Sequence, residues 1–363
     1  MRARQTQIWM LYRRSNQVTR QPQTCLKTSV YISISRNVST IRYTSPDVLA
    51  DENIDHFRQK YFRAEKPVVI RSAELCLKLP AYSKWFLETV SNHGKKGVQA
   101  QLNFDYISKH GDVLVPLELT SSATKGEENN TNGNKTYINN TQFERFQAPL
   151  SMFLDWTAAS AERPKEESQV NTDINRNDTN TQIYLAQCHL ENLPPQLQSD
   201  FHPTPALVSQ TGKNDVYATN LWIGTPPTYT PLHKDPNPNL FVQLAGVKHV
   251  RLLSPSTGLQ VFACVQQEMM DSTTKGDDFL GHAATFRGNE MMQGSERVLL
   301  ERAVWGDASS SSVPSTGVVR AQNHIGYDVI LERGDSLFIP KGWWHSIKGV
   351  GEGITASVNW WFR

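Results

Sequence analysis

Cysteine is scarce in this 363-residue chain: there are four, at positions 25, 76, 188 and 264, with no CxxC pair and no framework spacing. A disulfide scaffold and a zinc module are therefore not expected, and a reducing compartment fits. Long apolar runs are missing too. No stretch of uncharged apolar residues approaches the ~20 that a membrane helix needs, so no membrane association is expected. Net charge is small. Thirty-seven Lys and Arg stand against 35 Asp and Glu, giving +2, too little to argue for nucleic acid as the main partner. Acidic residues are absent altogether from Met1 to Pro46, a segment that holds eight Lys or Arg and much Ser, Thr and Gln. That is the composition of a mitochondrial transit peptide, so a mitochondrial address is the expectation, with a disordered basic tail and a nuclear or cytoplasmic address as the alternative.

What is present is organised around Leu221–Leu253, LWIGTPPTYTPLHKDPNPNLFVQLAGVKHVRLL. In extended chain, alternate residues point to the same side, so His233 and Asp235 can aim an imidazole and a carboxylate at one point. A third ligand must come from elsewhere. His345, in SLFIPKGWWHSI 112 residues on, is the other His in a comparably strong strand and turn context. Two His and one carboxylate on one face of a metal leave the opposite positions open, the arrangement of non-haem Fe(II) oxygenases. A bare His-x-Asp is more often a turn or a satisfied hydrogen-bonded pair, so the context has to carry the reading.

That context includes an oddity. Leu240–Gly246 reads as a strand ending at a Gly and Val247–Leu253 as the returning strand. On the latter, Lys248 shares a face with Val250 and Leu252, where an ammonium is costly unless an anion meets it. A protein carboxylate, or a stem that snorkels to the rim, would also satisfy it.

HxDPxxN with a Lys nine residues after its Asn, the preceding LWIG, GDxLFIPxGWWH and the terminal SVNWWF together resemble the JmjC-domain oxygenases. The nearest likeness is to the small JmjC-only hydroxylases, both the asparaginyl hydroxylase that inhibits hypoxia-inducible factor and the arginyl hydroxylase group also described as histone demethylases. Segments beginning at Phe62, Val115 and Tyr184 resemble that group in the same order, so the likeness covers most of Asp51–Arg363. The resemblance implies Fe(II) held by His233, Asp235 and His345, with 2-oxoglutarate and O₂ in the remaining positions. It also implies that Lys248 neutralises the distal carboxylate of 2-oxoglutarate, helped by hydrogen bonds from Asn239, Thr230 and Tyr184 and a contact from Asn359. Gln187, Trp222 and Trp361 would line the substrate pocket. The fold implied is mainly β with helical additions, a double-stranded β-helix (a cupin-like jelly roll) carrying an N-terminal α/β elaboration.

The boundaries read as a basic segment over 1–46, an N-terminal α/β part over 47–182 with polar inserts near 121–140 and 160–181, and the β-helix over 183–363 with an insert near 266–323. Asp51–Gln59 suits a short helix and Pro67–Arg71 a buried strand. Ser83 is expected to cap a helix over Lys84–Gly94, and Gln142–Ala159 has helical spacing. Ile183–Gln187 reads as a strand with Tyr184 and Leu185 on opposite faces and Gln187 beside Leu185. His282 and His324 are read as surface residues. Thr355, Ser357, Asn359 and Trp361 share one face of the last strand, as expected of a strand facing a wet cavity or of an ordinary edge strand.

Hydroxylation of an Arg, Asn, Lys or His side chain in a protein or peptide is the leading functional expectation, since no Cys/His-rich reader module accompanies the domain. N-methyl-lysine demethylation, oxidation of a tRNA base, and a catalytically inactive cupin-like interaction module are the alternatives; homodimerisation is left open.

Overall fold

The computed structural model describes residues 41–90, 98–124, 128–129, 135–136, 139–162, 180–273, 289–306 and 324–363. Strand pairing dominates them. The larger sheet runs in the order Asp47–Leu49 (β2), Val68–Ile70 (β3), Ser336–Ile339 (β16), Asn239–Ala245 (β13), Thr355–Phe362 (β18), Val216–Gly224 (β11), Asn180–His189 (β10), Leu114–Thr124 (β6) and Asn139–Pro149 (β9). The smaller runs Ile41–Thr44 (β1), His324–Leu331 (β15), Val247–Leu253 (β14), Trp344–Val350 (β17) and Thr228–Lys234 (β12). From β11 to β18 the chain passes back and forth between the two sheets, four strands in each, which is the expected double-stranded β-helix. The first three N-terminal strands extend both sheets at their edges, while β10, β6 and β9 widen the larger one.

β14 has the expected bounds and β13 begins and ends one residue earlier than expected, but β14 does not return beside β13, because each pairs within a different sheet. Gly246, at φ +61°, turns the chain between them; a Cβ there would lie 2.3 Å from the Ile354 carbonyl oxygen. Being central and covered on both sides, β13 is buried at every position. Its Leu240, Val242 and Leu244 pack outward with Ala356, Val358 and Trp360 of β18 against the N-terminal helices. Its Phe241 points inward, closing the barrel floor with Val250, Leu252, Val329 and Leu337. Truncating one such side chain to Ala costs roughly 2–5 kcal/mol.

Several local expectations are corrected. Helix occupies only Pro80–Lys84, and Phe86–Val90 (β4) is a strand paired with Val98–Leu102 (β5). Ser83 Oγ bonds back to the Pro80 carbonyl instead of capping a downstream helix, and β-branched Thr89 and Val90 suit the ladder. Residues 142–149 belong to β9, and the helix Leu150–Glu162 starts only after Pro149. β6 and β9 pair from Leu114↔Pro149 out to Thr124↔Asn139, extending strand into both ends of the expected 121–140 loop. Backbone ladders need no apolar side chains, so polarity there was a poor guide. Glu128–Asn129 (β7) also pairs with Lys135–Thr136 (β8).

The expected insert near 266–323 contains much of two helices, Pro255–Thr273 and Gly294–Trp305, that pack on the outer face of the smaller sheet. Val261, Phe262, Val265, Leu300 and Val304 share a core there with Leu232, Leu253 and Trp344. The expected disordered N-terminal segment is strand over Ile41–Thr44. Residues 1–40, 163–179 and 307–323, His282 and the His324 side chain lie outside the described residues.

Candidate metal centre and its cavity

His233, near the end of β12, stands opposite His345 of β17 in the strand register, and Asp235 follows directly beyond β12. Antiparallel partners project to the same face, so the two rings meet with centroids 4.2 Å apart. His233 Nε2 lies 3.9 Å from Asp235 Oδ1 and His345 Nε2 lies 3.7 Å from Asp235 Oδ2. One ligand atom from each of the three falls within 4.8 Å of the others. These are the three side chains selected from the sequence.

The surrounding bonds fix how the three present themselves. His233 Nδ1 donates to the Pro231 carbonyl at 2.9 Å and His345 Nδ1 to that of Trp343 at 3.2 Å, which leaves both Nε2 lone pairs facing the common point. Burial, reinforced by the neighbouring His233, holds the His345 pKa well below the usual imidazole value, so the ring is neutral. Asp235 Oδ2 accepts from Asn239 Nδ2 at 3.0 Å and from Trp361 Nε1 at 3.1 Å. Asn239 Oδ1 accepts from Asn359 Nδ2, and Asn359 Oδ1 accepts from Trp222 Nε1 at 2.8 Å. An indole N–H can only donate and a carboxylate can only accept, so the ends of this chain dictate both amide orientations. Oδ1 receives no donor among the described residues and is left for the common point.

Lys248 sits deeper, 2 % exposed. Its Nζ donates to Ser357 Oγ at 2.6 Å and to the Tyr184 hydroxyl at 3.2 Å, and no carboxylate pairs with it among the described residues. Burial pulls its pKa down to about 7 and pushes that of Tyr184 well up, with Glu118 nearby adding to the latter. The Tyr184 ring lies against Gly224, where a Cβ would come within 2.4 Å of it.

A cavity of about 410 Å³ joins these groups. It is reached by all eleven residues proposed from sequence: His233, Asp235, His345, Lys248, Asn239, Thr230, Tyr184, Asn359, Gln187, Trp222 and Trp361. Gln187 arrives by a route that simple alternation does not give. A register shift between Leu185 and Cys188, with Gln187 at φ +50°, turns its side chain to the Tyr184 side. Asn239, Asn359, Trp222 and Trp361 line the space while also supporting Asp235.

Sequence reasoning missed part of the wall. Met291, Met292 and Glu296 come from the region read as an insert, Phe262 from the part of the helix Pro255–Thr273 just before it, and Glu118 and Arg145 from neighbouring β6 and β9. Glu118 was findable, since an acid among the apolar residues of Val115–Leu119 is the same oddity that singled out Lys248. The Met pair lies beyond the regular strands and carries no spacing signal.

A family model for the cupin-like domain matches residues 54–363. The chain is 24% identical over 311 residues to lysine-specific demethylase JMJ30 of Arabidopsis thaliana, covering 85% of this chain and 53% of that protein. It is 26% identical over 288 residues to JmjC domain-containing protein F of Dictyostelium discoideum (72% and 52% covered) and 22% identical over 310 residues to lysine-specific demethylase 8 of Xenopus tropicalis (85% and 51%). The chain thus spans about half the length of these curated relatives. With the match running through nearly all the described strands and through His233, Asp235 and His345, the chain belongs to the cupin-like domain family, in its JmjC branch.

Proposed function

We propose that the protein is an Fe(II)- and 2-oxoglutarate-dependent oxygenase that hydroxylates a side chain of a protein or peptide. The observation that carries this reading is a buried Lys with no carboxylate partner among the described residues, sharing one cavity with two imidazoles and a carboxylate. The donor set fits a divalent metal that accepts nitrogen and oxygen ligands, with two His and one Asp leaving positions open. His233, Asp235 and His345 would hold the iron, and the Asn239 and Trp361 hydrogen bonds would keep Asp235 turned toward it. Lys248, steadied by Ser357 and Tyr184, would receive the distal carboxylate of 2-oxoglutarate. When bound, iron and 2-oxoglutarate supply oxidative decarboxylation by O₂ to succinate and CO₂, coupled to placing one oxygen atom on a substrate C–H bond.

N-methyl-lysine demethylation is the second reading, favoured by two relatives named lysine-specific demethylases. Under anaerobic conditions, purified protein with Fe(II) and 2-oxoglutarate is expected to show a weak visible charge-transfer band that His233→Ala abolishes. Absence of the band in the parent would overturn the oxygenase reading. Mass spectrometry of treated extract proteins then separates the two reactions, since hydroxylation adds one oxygen and demethylation removes a methyl.

A further inference from the structure

Tyr184 of β10, Glu118 of β6 and Arg145 of β9 are direct neighbours in the strand register, so they form a row on one face of the larger sheet. The row begins beside Lys248 and ends at the cavity's outer wall, which both Glu118 and Arg145 line. Glu118 is 5 % exposed, and burial raises its pKa against the opposing pull of Arg145. Both Arg145 Nε, at 3.2 Å, and Arg145 Nη2 donate to the same oxygen, Oε1. Oε2 accepts no hydrogen bond among the described residues. The cavity therefore contains a carboxylate suited to a cationic side chain, but a guanidinium of the chain itself is already on it.

The other charges on the wall point the same way. Lys234, Lys248 and Arg145 balance Asp235, Glu118 and Glu296. An iron dication and a 2-oxoglutarate dianion would also cancel, so a bound cation would find no surplus negative charge.

We propose that the Glu118–Arg145 pair sets the substrate class of the oxygenase site, making it select an uncharged polar side chain over a cationic one. This rests on the cavity being the substrate site. An incoming guanidinium or ammonium has to displace Arg145, which is tethered to its place and competes at high effective concentration. A charge-assisted bond of this kind corresponds to a penalty of roughly tenfold to a hundredfold in affinity. An uncharged amide instead leaves the pair intact and can donate to Oε2. Arg145 is a specificity residue with its side chain 39 % exposed, so its replacement leaves the core alone.

The test compares two blocked tripeptides, Gly-Arg-Gly and Gly-citrulline-Gly, whose central side chains have nearly the same shape and differ in charge. Binding is read from the indole N–H resonances of Trp222 and Trp361, both of which line the cavity, so the readout does not require turnover or metal. Mn(II) and 2-oxoglutarate loading is measured separately on the same samples, and its failure would count against the metal-site reading alone. The citrulline peptide is expected to bind at least tenfold tighter than the arginine peptide. Arg145→Gln should erase or reverse that preference, because it leaves a buried carboxylate in need of a cation. Glu118→Gln should keep it, since it removes the carboxylate for which the guanidinium would compete while leaving Arg145 in place. Equal or tighter binding of arginine to the parent, an unchanged ratio in Arg145→Gln, or no response of the indoles to either peptide would each overturn the proposal.

Discussion

Replacing Lys248 by Met separates a cosubstrate-binding ammonium from a structural one. Burial lowers the Lys248 pKa to about 7. Between that pH and the ordinary Lys value near 10.4 the unfolded chain holds a proton that the folded protein has lost. Stability therefore rises with pH across the window, by at most about 1.4 kcal/mol per unit from this group. Below pH 7 both states are protonated and the full cost of burying the charge stands. The groups facing the ammonium are the Ser357 and Tyr184 hydroxyls and the Phe241 ring, while Glu118, next along the sheet, is engaged by Arg145. None offers a full counter-charge. Lys248→Met keeps the stem and removes the charge, so without ligand at pH 6 it should be more stable than the parent by about 1–4 kcal/mol, the gap closing toward pH 10. It should also lose roughly a hundredfold or more in 2-oxoglutarate affinity, because the distal carboxylate would be buried without a partner. Urea melts at several pH values and calorimetric titration of Mn(II)-loaded protein check both. A variant less stable than the parent at pH 6 that binds 2-oxoglutarate normally would refute the argument and make Lys248 a structural donor.

Trp361→Phe removes one of the two donors on Asp235 Oδ2 and should weaken metal binding about tenfold or more, measured by Mn(II) titration; the Asn239 bond would keep the loss from being complete. Gly224→Ala places a methyl against the Tyr184 ring, so calorimetry should show weaker 2-oxoglutarate binding with Mn(II) affinity retained, and thermal melts a cost of about 1–3 kcal/mol. At Gln187, φ +50°, substitution by Gly should stay within about 1 kcal/mol of the parent, whereas β-branched Val should cost more than that. Equal melting temperatures for the two variants would show that the bulge is not strained.

The triad was legible because His233 and Asp235 stand two residues apart in extended chain and His345 falls in an equally strong strand context. β14 alternates cleanly up to Leu252, and the position of Lys248 on its apolar face identified a group that required an explanation. What alternation could not give was sheet membership, so Val247–Leu253, read as the strand returning after Gly246, lies in the other sheet. It also failed at Gln187, where one bulged residue reverses the facing of a side chain. The wrong helix over Lys84–Gly94 has a similar origin. Trp85, Phe86 and Val90 fit a helical stripe, yet β4 meets β5 and the ladder overrides local spacing. Polar residues misled over 121–124 and 139–140 because a long hairpin can be held by its backbone alone.

The helices Pro255–Thr273 and Gly294–Trp305 were hardest to recognise, for a reason connected to what they do. Each must present apolar groups inward to the smaller sheet, through Val261, Val265, Leu300 and Val304, while Phe262 and Glu296 also reach the cavity. A helix that serves both a core and a binding wall cannot keep a clean amphipathic stripe, so its pattern is diluted where it lines the site. Strand geometry fixes His233, His345 and Lys248 within hydrogen-bonded ladders, where a one-residue slip would turn each of them away. The helical wall, with Met291 and Met292 beside it, lies under no such register constraint. Substitutions there can reshape what enters while the triad holds its positions. On the proposed reading, the strand-borne Glu118–Arg145 pair would then set which charge is accepted, and the helical wall would set the shape of what enters.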